Sequence, residues 1–305
     1  MTSIPPPSPP TDPPATPDLG TTPDADLPVG QDEVSWPIWT APAAIAVGFG
    51  AGIFVSIVVG AIASVNGSSL AHPSPAVSLI GDLLFDLSFV GAAIFFSGIR
   101  GRARPAEFGF RRVSIGKSIV ALIVTAISYY VATAVYASLF HLHGNDKLPK
   151  ELGVGNSTAA LVGATVFVCV IAPIAEEFFF RGFLFGALRK MRVMIAGRDI
   201  GVWVAAGITG ILFGLAHTGS ASSQYLIPLG LLGFALCILR WKTGSLYPCM
   251  ALHSINNSLA LGIGQLHWNS GEIAGLILGS LLVIGTLTLP IASGRLAIPG
   301  LAPAR

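Results

Sequence analysis

The apolar stretches of this sequence contain few ionisable side chains, and the densest group of them consists of Glu176, Glu177 and Arg181. Glu177 and Arg181 are four residues apart, so on a helix they share a face and can form an ion pair. Glu176 is rotated away from that face by about 100°. Because one arginine cannot neutralise two glutamates, we expect Arg181 to hold Glu177 and Glu176 to point at another group. The simpler alternative is a buried triad that only fixes helix packing.

Two histidines and an asparagine follow in later apolar stretches. His217 ends one stretch, whereas His253 and Asn257 share a helical face in another because they are four residues apart. At a rise of 1.5 Å per residue, Glu176 and these three residues lie roughly 16 to 22 Å from the basic ends of their stretches. The sequence therefore predicts one polar layer near the middle of a membrane, built from three helices.

These side chains include the catalytic groups that attack of water on an amide bond requires. A carboxylate beside a histidine can take a proton from water and deliver it to a leaving amine. A second histidine with an asparagine amide can donate hydrogen bonds to the oxyanion of a tetrahedral intermediate. The sequence has neither a Gly-x-Ser-x-Gly elbow nor a His-Glu-x-x-His zinc helix. We therefore expect general acid–base chemistry without a covalent intermediate.

The composition indicates that the solvent around most of the chain is lipid. Hydrophobic side chains make up 52% of the 305 residues, charged ones make up 10%, and the mean hydropathy is +0.74. An ordinary globular domain is about 25% charged. This composition argues against a cytosolic enzyme, a disordered regulator and a nucleic-acid binder, so we expect membrane lipid and no nucleic acid as a partner.

Eight apolar stretches are long enough to span a hydrocarbon core, which takes ~20 helical residues. They lie near 41–65, 77–99, 115–140, 158–188, 202–220, 223–240, 244–264 and 272–292. The expected fold is therefore an all-α, polytopic membrane bundle of about eight transmembrane helices. Basic residues should concentrate in cytoplasmic connections. They do concentrate in alternate connections, at 100–117, 189–198, 240–242 and 295–305. We expect a plasma (inner) membrane protein with both termini in the cytoplasm.

The chain divides into two parts of different composition. Residues 1–37 hold half of the 22 prolines together with six acids and no lysine or arginine. Such a composition is typical of an extended, solvated segment. We therefore predict a disordered, proline-rich acidic tail over 1–37 and a transmembrane helical domain over 38–305, with the candidate catalytic motifs within 158–264.

The ordered motifs resemble those of a known family. They follow one another on successive apolar helices as Glu176-Glu177-x-x-x-Arg181, Phe213-x-x-x-His217 and His253-x-x-x-Asn257. This order is similar to that of the CAAX prenyl endopeptidase and bacteriocin-processing (CPBP) intramembrane proteases, over about residues 158–264. The resemblance implies a membrane-embedded endopeptidase that hydrolyses a peptide bond of a membrane-associated substrate, prenylated in some members.

The resemblance also implies roles for these residues. Glu176 with His217 would activate water, and His253 with Asn257 would stabilise the oxyanion, while the second glutamate and the arginine would complete the first motif. Members are commonly called metalloproteases, and Glu176, His217 and His253 could supply three ligands to Zn²⁺ with one position open for water. A metal-free route uses the same residues. We favour that route, in which no cofactor is required, because an asparagine suits an oxyanion donor better than a zinc ligand.

Two other function classes use the same residues. A proton-coupled transporter could use the buried acids and histidines as a relay, although the sequence shows no internal repeat. A non-catalytic immunity-type membrane protein would work by binding alone, although the complete set of motifs argues against it. Asp82 and Asp86 also lie four residues apart on one face of the second stretch. They could line a water-filled entrance, but we expect them to lie in the interfacial region.

Overall fold

A computed structural model describes residues 34–65, 67, 69, 73–141 and 148–303. Helices occupy all eight predicted stretches. They are α1 Thr40–Val65, α2 Pro75–Ser97, α3 Ile115–Phe140, α4 Thr158–Leu188, α5 Gly201–Ala216, α6 Leu226–Thr243, α7 Tyr247–Gly264 and α8 Ser270–Ala292. The prediction of an all-α membrane helix bundle is confirmed.

Within the described part of the chain, six helices are long and apolar enough to cross a membrane, by length and composition. The two others are α5 and α7. Helix α5 has only 16 residues, because it ends at Ala216 rather than at residue 220 as predicted. Helix α7 has 18 residues but carries several polar side chains. The expected number of eight membrane spans therefore stays a prediction.

The exposed surface of the bundle is apolar. Helices α1, α2, α3 and α8 bury few of their residues inside the bundle, whereas α4 is the most buried of the six apolar helices. Aromatic side chains of α4 form the centre of the core, where Phe178 stacks on Phe108 and Phe179 contacts Phe89. Helix α4 is therefore the central helix around which the others are arranged.

Close packing of α5 on α6 depends on glycines. A Cβ atom at Gly210 would lie 2.7 Å from the carbonyl oxygen of Gly230, and one at Gly214 would lie 2.5 Å from that of Leu226. Small residues allow helix backbones to approach closely in membrane proteins. This approach fixes the position of the carboxyl end of α5, where His217 follows.

Short elements join the helices. Helical turns lie at Pro105–Phe108, Leu148–Glu151 and Ser223–Tyr225, and an antiparallel hairpin of β1 Met194–Ile195 and β2 Arg198–Asp199 connects α4 to α5. The Oδ1 atom of Asp199 accepts hydrogen bonds from the backbone N–H groups of Gly201 and Val193. These hydrogen bonds, that of Gly201 first, hold the pKa of Asp199 below its ordinary value.

The predicted tail over 1–37 is described only at its end, since residues 1–33 lie outside the described residues. Val34 and Trp36 are buried, and the indole N–H of Trp36 donates to the carbonyl oxygen of Phe183 at 3.2 Å. The ammonium group of Lys190 donates to the carbonyl oxygens of Val34 and Trp36, both at 3.1 Å. Residues 34–37 thus pack against α4, and the helical domain begins a few residues earlier than predicted.

Candidate active site

The first motif lies in an irregular part of α4. An α-helical segment, Ala172–Glu177, separates two π-helical segments, Phe167–Ile171 and Phe178–Leu184. The irregularity begins just before Pro173, which has no N–H to donate to the carbonyl groups one turn earlier. Wide turns of this kind occur frequently at functional sites.

Helix α7 supplies the hydrogen bonds that Pro173 cannot give. In helical geometry the carbonyl oxygens four and five residues before Pro173 belong to Cys169 and Val168. The hydroxyl of Ser254 donates to the first at 2.7 Å, and Nδ2 of Asn257 donates to the second at 2.9 Å. The proline therefore explains why polar side chains of α7 dock against α4, and this docking places the third motif beside the first.

The predicted ion pair between Glu177 and Arg181 is present. Nη1 of Arg181 donates to Oε1 of Glu177 at 2.8 Å, and both side chains are fully buried. Nη2 of Arg181 also donates to the carbonyl oxygen of Gly233 at 3.3 Å, and the guanidinium lies 4.2 Å from the centre of the Phe213 ring. Because a buried guanidinium stays charged, this pair fixes Glu177 as an ionised carboxylate.

Glu177 also orients His253. Oε1 of Glu177 lies 2.8 Å from Nδ1 of His253. A carboxylate only accepts hydrogen bonds, so we assign the hydrogen of the neutral ring to Nδ1. The other nitrogen, Nε2, then presents a lone pair and lies 3.9 Å from Oε2 of Glu176. With the hydrogen on Nδ1 alone, the ring has no second N–H for the expected oxyanion role of His253, and that role stays a prediction.

His217 is oriented in the same way by its own helix. It follows α5 as the capping residue, and its Nδ1 lies 2.8 Å from the carbonyl oxygen of Phe213. A carbonyl oxygen only accepts, so Nδ1 carries the hydrogen and Nε2 presents its lone pair. Nε2 lies 3.9 Å from Oε2 of Glu176. The spacing of four residues in the second motif thus provides both the histidine and the carbonyl that orients it.

Oε2 of Glu176 is the point at which the three motifs meet. It lies 3.9 Å from Nε2 of both His217 and His253. It is buried and has no hydrogen-bond partner among the described residues. In the assigned forms of the rings these three atoms are acceptors, and both distances are too long for direct hydrogen bonds. A molecule with two hydrogens to donate, such as water, complements this arrangement.

A cavity of about 350 Å³ adjoins this point. Glu176, His217 and Asn257 line it, whereas Glu177, Arg181 and His253 are buried around it and are not part of its lining. The structure therefore brings all six predicted site residues together but divides them into two layers. The first layer can touch a substrate, and the second orients the first.

Three further acidic residues line this cavity, two of which the sequence analysis expected in the interfacial region and one of which, Glu151, it missed. Asp82 and Asp86 line it from α2, and Glu151 lines it from the turn before α4. The two aspartates therefore belong to the cavity wall rather than only to the interfacial region. Their common helical face was the available signal, but the sequence does not say which neighbour that face contacts.

The zinc prediction concerns Glu176, His217 and His253. Their donor atoms, one carboxylate oxygen and two imidazole nitrogens, are of the types that zinc binds. Within the described ranges, however, no group of three or more His, Cys, Asp or Glu side chains is placed to hold a metal ion. The donor types thus fit zinc, a role for zinc stays a prediction, and we derive no step through a metal.

Comparisons with known proteins agree with the motifs. Residues 157–259 match the family model described as type II CAAX prenyl endopeptidase Rce1-like. An uncharacterized 24.3 kDa protein of Escherichia coli is 27% identical to this chain over 135 residues, which cover 43% of this chain and 59% of that protein. The chain thus spans less than two thirds of that relative. No solved structure matches the chain.

The matched segment contains all three motifs and the helices that carry them. Together with the six apolar helices, the match identifies an integral membrane protein. The resemblance drawn from the motifs is confirmed by this match, in which residues 157–259 are similar to the type II CAAX prenyl endopeptidase Rce1-like model.

Proposed function

We propose that this protein is an intramembrane endopeptidase that hydrolyses a peptide bond of a membrane-associated substrate with water activated by Glu176 and His217. The observation that supports it best is the convergence of Oε2 of Glu176 with Nε2 of His217 and of His253, each at 3.9 Å, beside a cavity. The family match over residues 157–259 supports the same reaction class.

The proposed reaction begins with a water molecule that donates hydrogen bonds to Glu176 and His217. Glu176 takes a proton from this water as its oxygen bonds to the carbonyl carbon of the substrate, and the carbonyl electrons move onto oxygen. The second N–H of the Asn257 amide, which the carbonyl of Val168 does not use, donates to the resulting oxyanion. Collapse of this intermediate breaks the C–N bond, and the proton passes from Glu176 to the leaving nitrogen.

The buried layer has a positioning role in this mechanism. Arg181 holds Glu177 ionised, and Glu177 holds the hydrogen of His253 on Nδ1. His253 then directs a lone pair toward Glu176 and accepts a hydrogen bond from water or from protonated Glu176. We assign the oxyanion donor role to Asn257 alone, since neutral His253 has no second N–H.

We place the protein in the plasma (inner) membrane with both termini in the cytoplasm, and its partners are membrane lipid and a peptide or protein segment at the membrane. We expect no nucleic acid as a partner in this function. The mechanism requires no cofactor. The substrate can be prenylated or unmodified, because none of the steps above involves a lipid group.

The test uses purified protein in detergent and a panel of quenched peptides, some of them lipidated. Wild type is compared with Glu176→Gln and His217→Ala, before and after treatment with a chelator. We expect cleavage by wild type and a loss of at least 100-fold in both variants, since general acid–base catalysis contributes about 10²–10⁴-fold. Glu272→Gln, which changes an exposed acid at the start of α8, is the matched control and should retain activity.

Full residual activity in Glu176→Gln would contradict the proposed mechanism. Loss of activity on chelation, restored by Zn²⁺, would replace the metal-free route with a zinc-dependent one. A proton-coupled transporter would show substrate-dependent flux without cleavage. A non-catalytic immunity protein would keep its function in Glu176→Gln.

A further inference from the structure

Four carboxylates form a row along the cavity. Asp82 and Asp86 are one turn apart on α2. Glu151 lies in the turn before α4, and Glu176 lies within α4. All four residues line the cavity. The row therefore runs from the exposed Glu151, in the turn before α4, to the acid at the centre of the candidate active site.

No cation balances this row from the described lining of the cavity, which contains neither lysine nor arginine. The guanidinium of Arg181 forms an ion pair with Glu177, and both side chains are buried outside the cavity lining. Oδ2 of Asp86 and Oε2 of Glu176 are buried, and neither has a hydrogen-bond partner in the described part of the chain. A buried acceptor without a partner is costly and calls for an explanation.

The size and the remaining walls of the cavity fit a side chain with an apolar stem and a charged end. Its volume of about 350 Å³ falls in the range of small-ligand sites, ~300–1,000 Å³. Aromatic rings of Phe85, Phe89 and Phe179 line the same space as the carboxylates. Long basic side chains pack their methylene groups on apolar surface and keep the charge at a polar end.

We propose that the row from Glu151 to Glu176 binds an organic cation of the substrate, an ammonium or guanidinium group, next to the bond that is cut. The source of the cation is a lysine or arginine side chain or a free amino terminus. A free carboxylate close to the cut bond is disfavoured, because it would face four acidic side chains. This inference rests on the proposed function and narrows its substrate class.

The test uses matched peptides with one apolar core. At each position in turn, lysine is compared with norleucine, which has the same stem without the charge. Further pairs compare a free amino terminus with an acetylated one, and a free carboxyl terminus with an amide. For at least one position we expect wild type to favour the cationic peptide at least tenfold in kcat/KM, or about 1.4 kcal/mol, and to favour the amide over the free acid.

Substitution of single carboxylates in the row tests whether they cause the preference for cationic peptides. Asp86→Asn and Glu151→Gln should each move the ratio of lysine to norleucine peptides toward one. Glu151→Gln serves as the second variant because its side chain is exposed, so its replacement does not disturb the core. Asp199→Asn changes an aspartate of the β-hairpin outside the cavity and should leave the ratio unchanged.

Three outcomes separate this inference from the proposed function. Cleavage that depends on Glu176 but shows no preference for a cation, or favours a free carboxylate, would overturn the inference and leave the protease assignment intact. Absence of Glu176-dependent cleavage would count against the protease assignment. Binding of the same peptides to His217→Ala, which keeps all four acids, is measured by fluorescence anisotropy. Equal binding of lysine and norleucine peptides there would overturn the inference even without cleavage.

Discussion

Glu177 determines which nitrogen of His253 carries the hydrogen. Oε1 of Glu177 lies 2.8 Å from both Nη1 of Arg181 and Nδ1 of His253. An amide at this position could donate instead of accept and would stabilise the other form of the ring. In that form Nε2 of His253 would donate to Glu176 and compete with the water that has to be activated.

We therefore expect Glu177→Gln to lower kcat by about 10²-fold or more with little change in KM, because loss of a ring-orienting carboxylate is costly in other hydrolases. The variant also leaves Arg181 buried without its counter-ion, which costs about 3–5 kcal/mol of stability. Unfolding of the same samples in detergent measures that loss of stability. The value of kcat is then calculated from the concentration of folded protein alone. An unchanged kcat for the folded protein would show that Glu177 is only structural.

At the residue scale, the six motif residues could be predicted because spacing and depth can both be read from the chain. The spacing of four residues puts Glu177 and Arg181, and likewise His253 and Asn257, on common faces. The sequence left the position of Asp82 and Asp86 open between a water-filled entrance and the interfacial region, since the choice depends on which helices α2 contacts. The two-layer arrangement escaped prediction for the same reason, because burial of one side chain behind another is a property of packing.

At the scale of elements, one proline connects two motifs. Pro173 leaves carbonyl groups of α4 without their usual donors, and Ser254 and Asn257 of α7 replace them. The sequence predicts a disturbance at Pro173, but the π-helical segments on both sides of Ala172–Glu177 depend on contacts with α7. Helix ends were equally hard to predict inside apolar runs. Helix α5 ends at Ala216 because His217 takes a capping conformation and bonds the carbonyl oxygen of Phe213.

The docking of α7 on α4 can be measured with Ser254→Ala. The change removes a 2.7 Å hydrogen bond and leaves the carbonyl oxygen of Cys169 buried without a donor. We expect a loss of about 1–3 kcal/mol in the free energy of unfolding, together with lower activity because His253 is the next residue. Ser128→Ala is the matched control, since its hydroxyl bonds only the carbonyl of Val124 on the exposed face of α3. Equal effects of the two variants would refute the link between the helices.

At the scale of the whole molecule, the arginine-rich connections gather at one end. The N–H of Leu246 donates to the carbonyl oxygen of Gly109, and the hydroxyl of Ser245 donates to that of Arg111. Lys190 binds the carbonyl oxygens of residues 34 and 36, and the N–H of Ala302 binds that of Ala103. Both described ends of the chain thus lie beside connections that the positive-inside rule assigns to the cytoplasm.

The cavity extends toward the opposite end. Its lining includes Glu151 from the turn before α4 and three residues after α5, Thr218, Ser220 and Ala221. Both segments lie at the ends of α4 and α5 that are remote from the basic hairpin between those helices. If the basic end is cytoplasmic, we expect the proposed substrate to reach Glu176 from the other side of the membrane.

This orientation can be tested by labelling single cysteines in intact cells with a membrane-impermeant maleimide. The three native cysteines are free and buried, so their background should be low. We expect Glu151→Cys, at the mouth of the cavity, to be labelled from outside, and Met194→Cys, in the exposed hairpin, to be labelled only after permeabilisation. The reverse pattern would place the termini outside and the cavity mouth in the cytoplasm. Labelling of both cysteine variants in intact cells would show that residues 151 and 194 do not lie on opposite sides of the membrane.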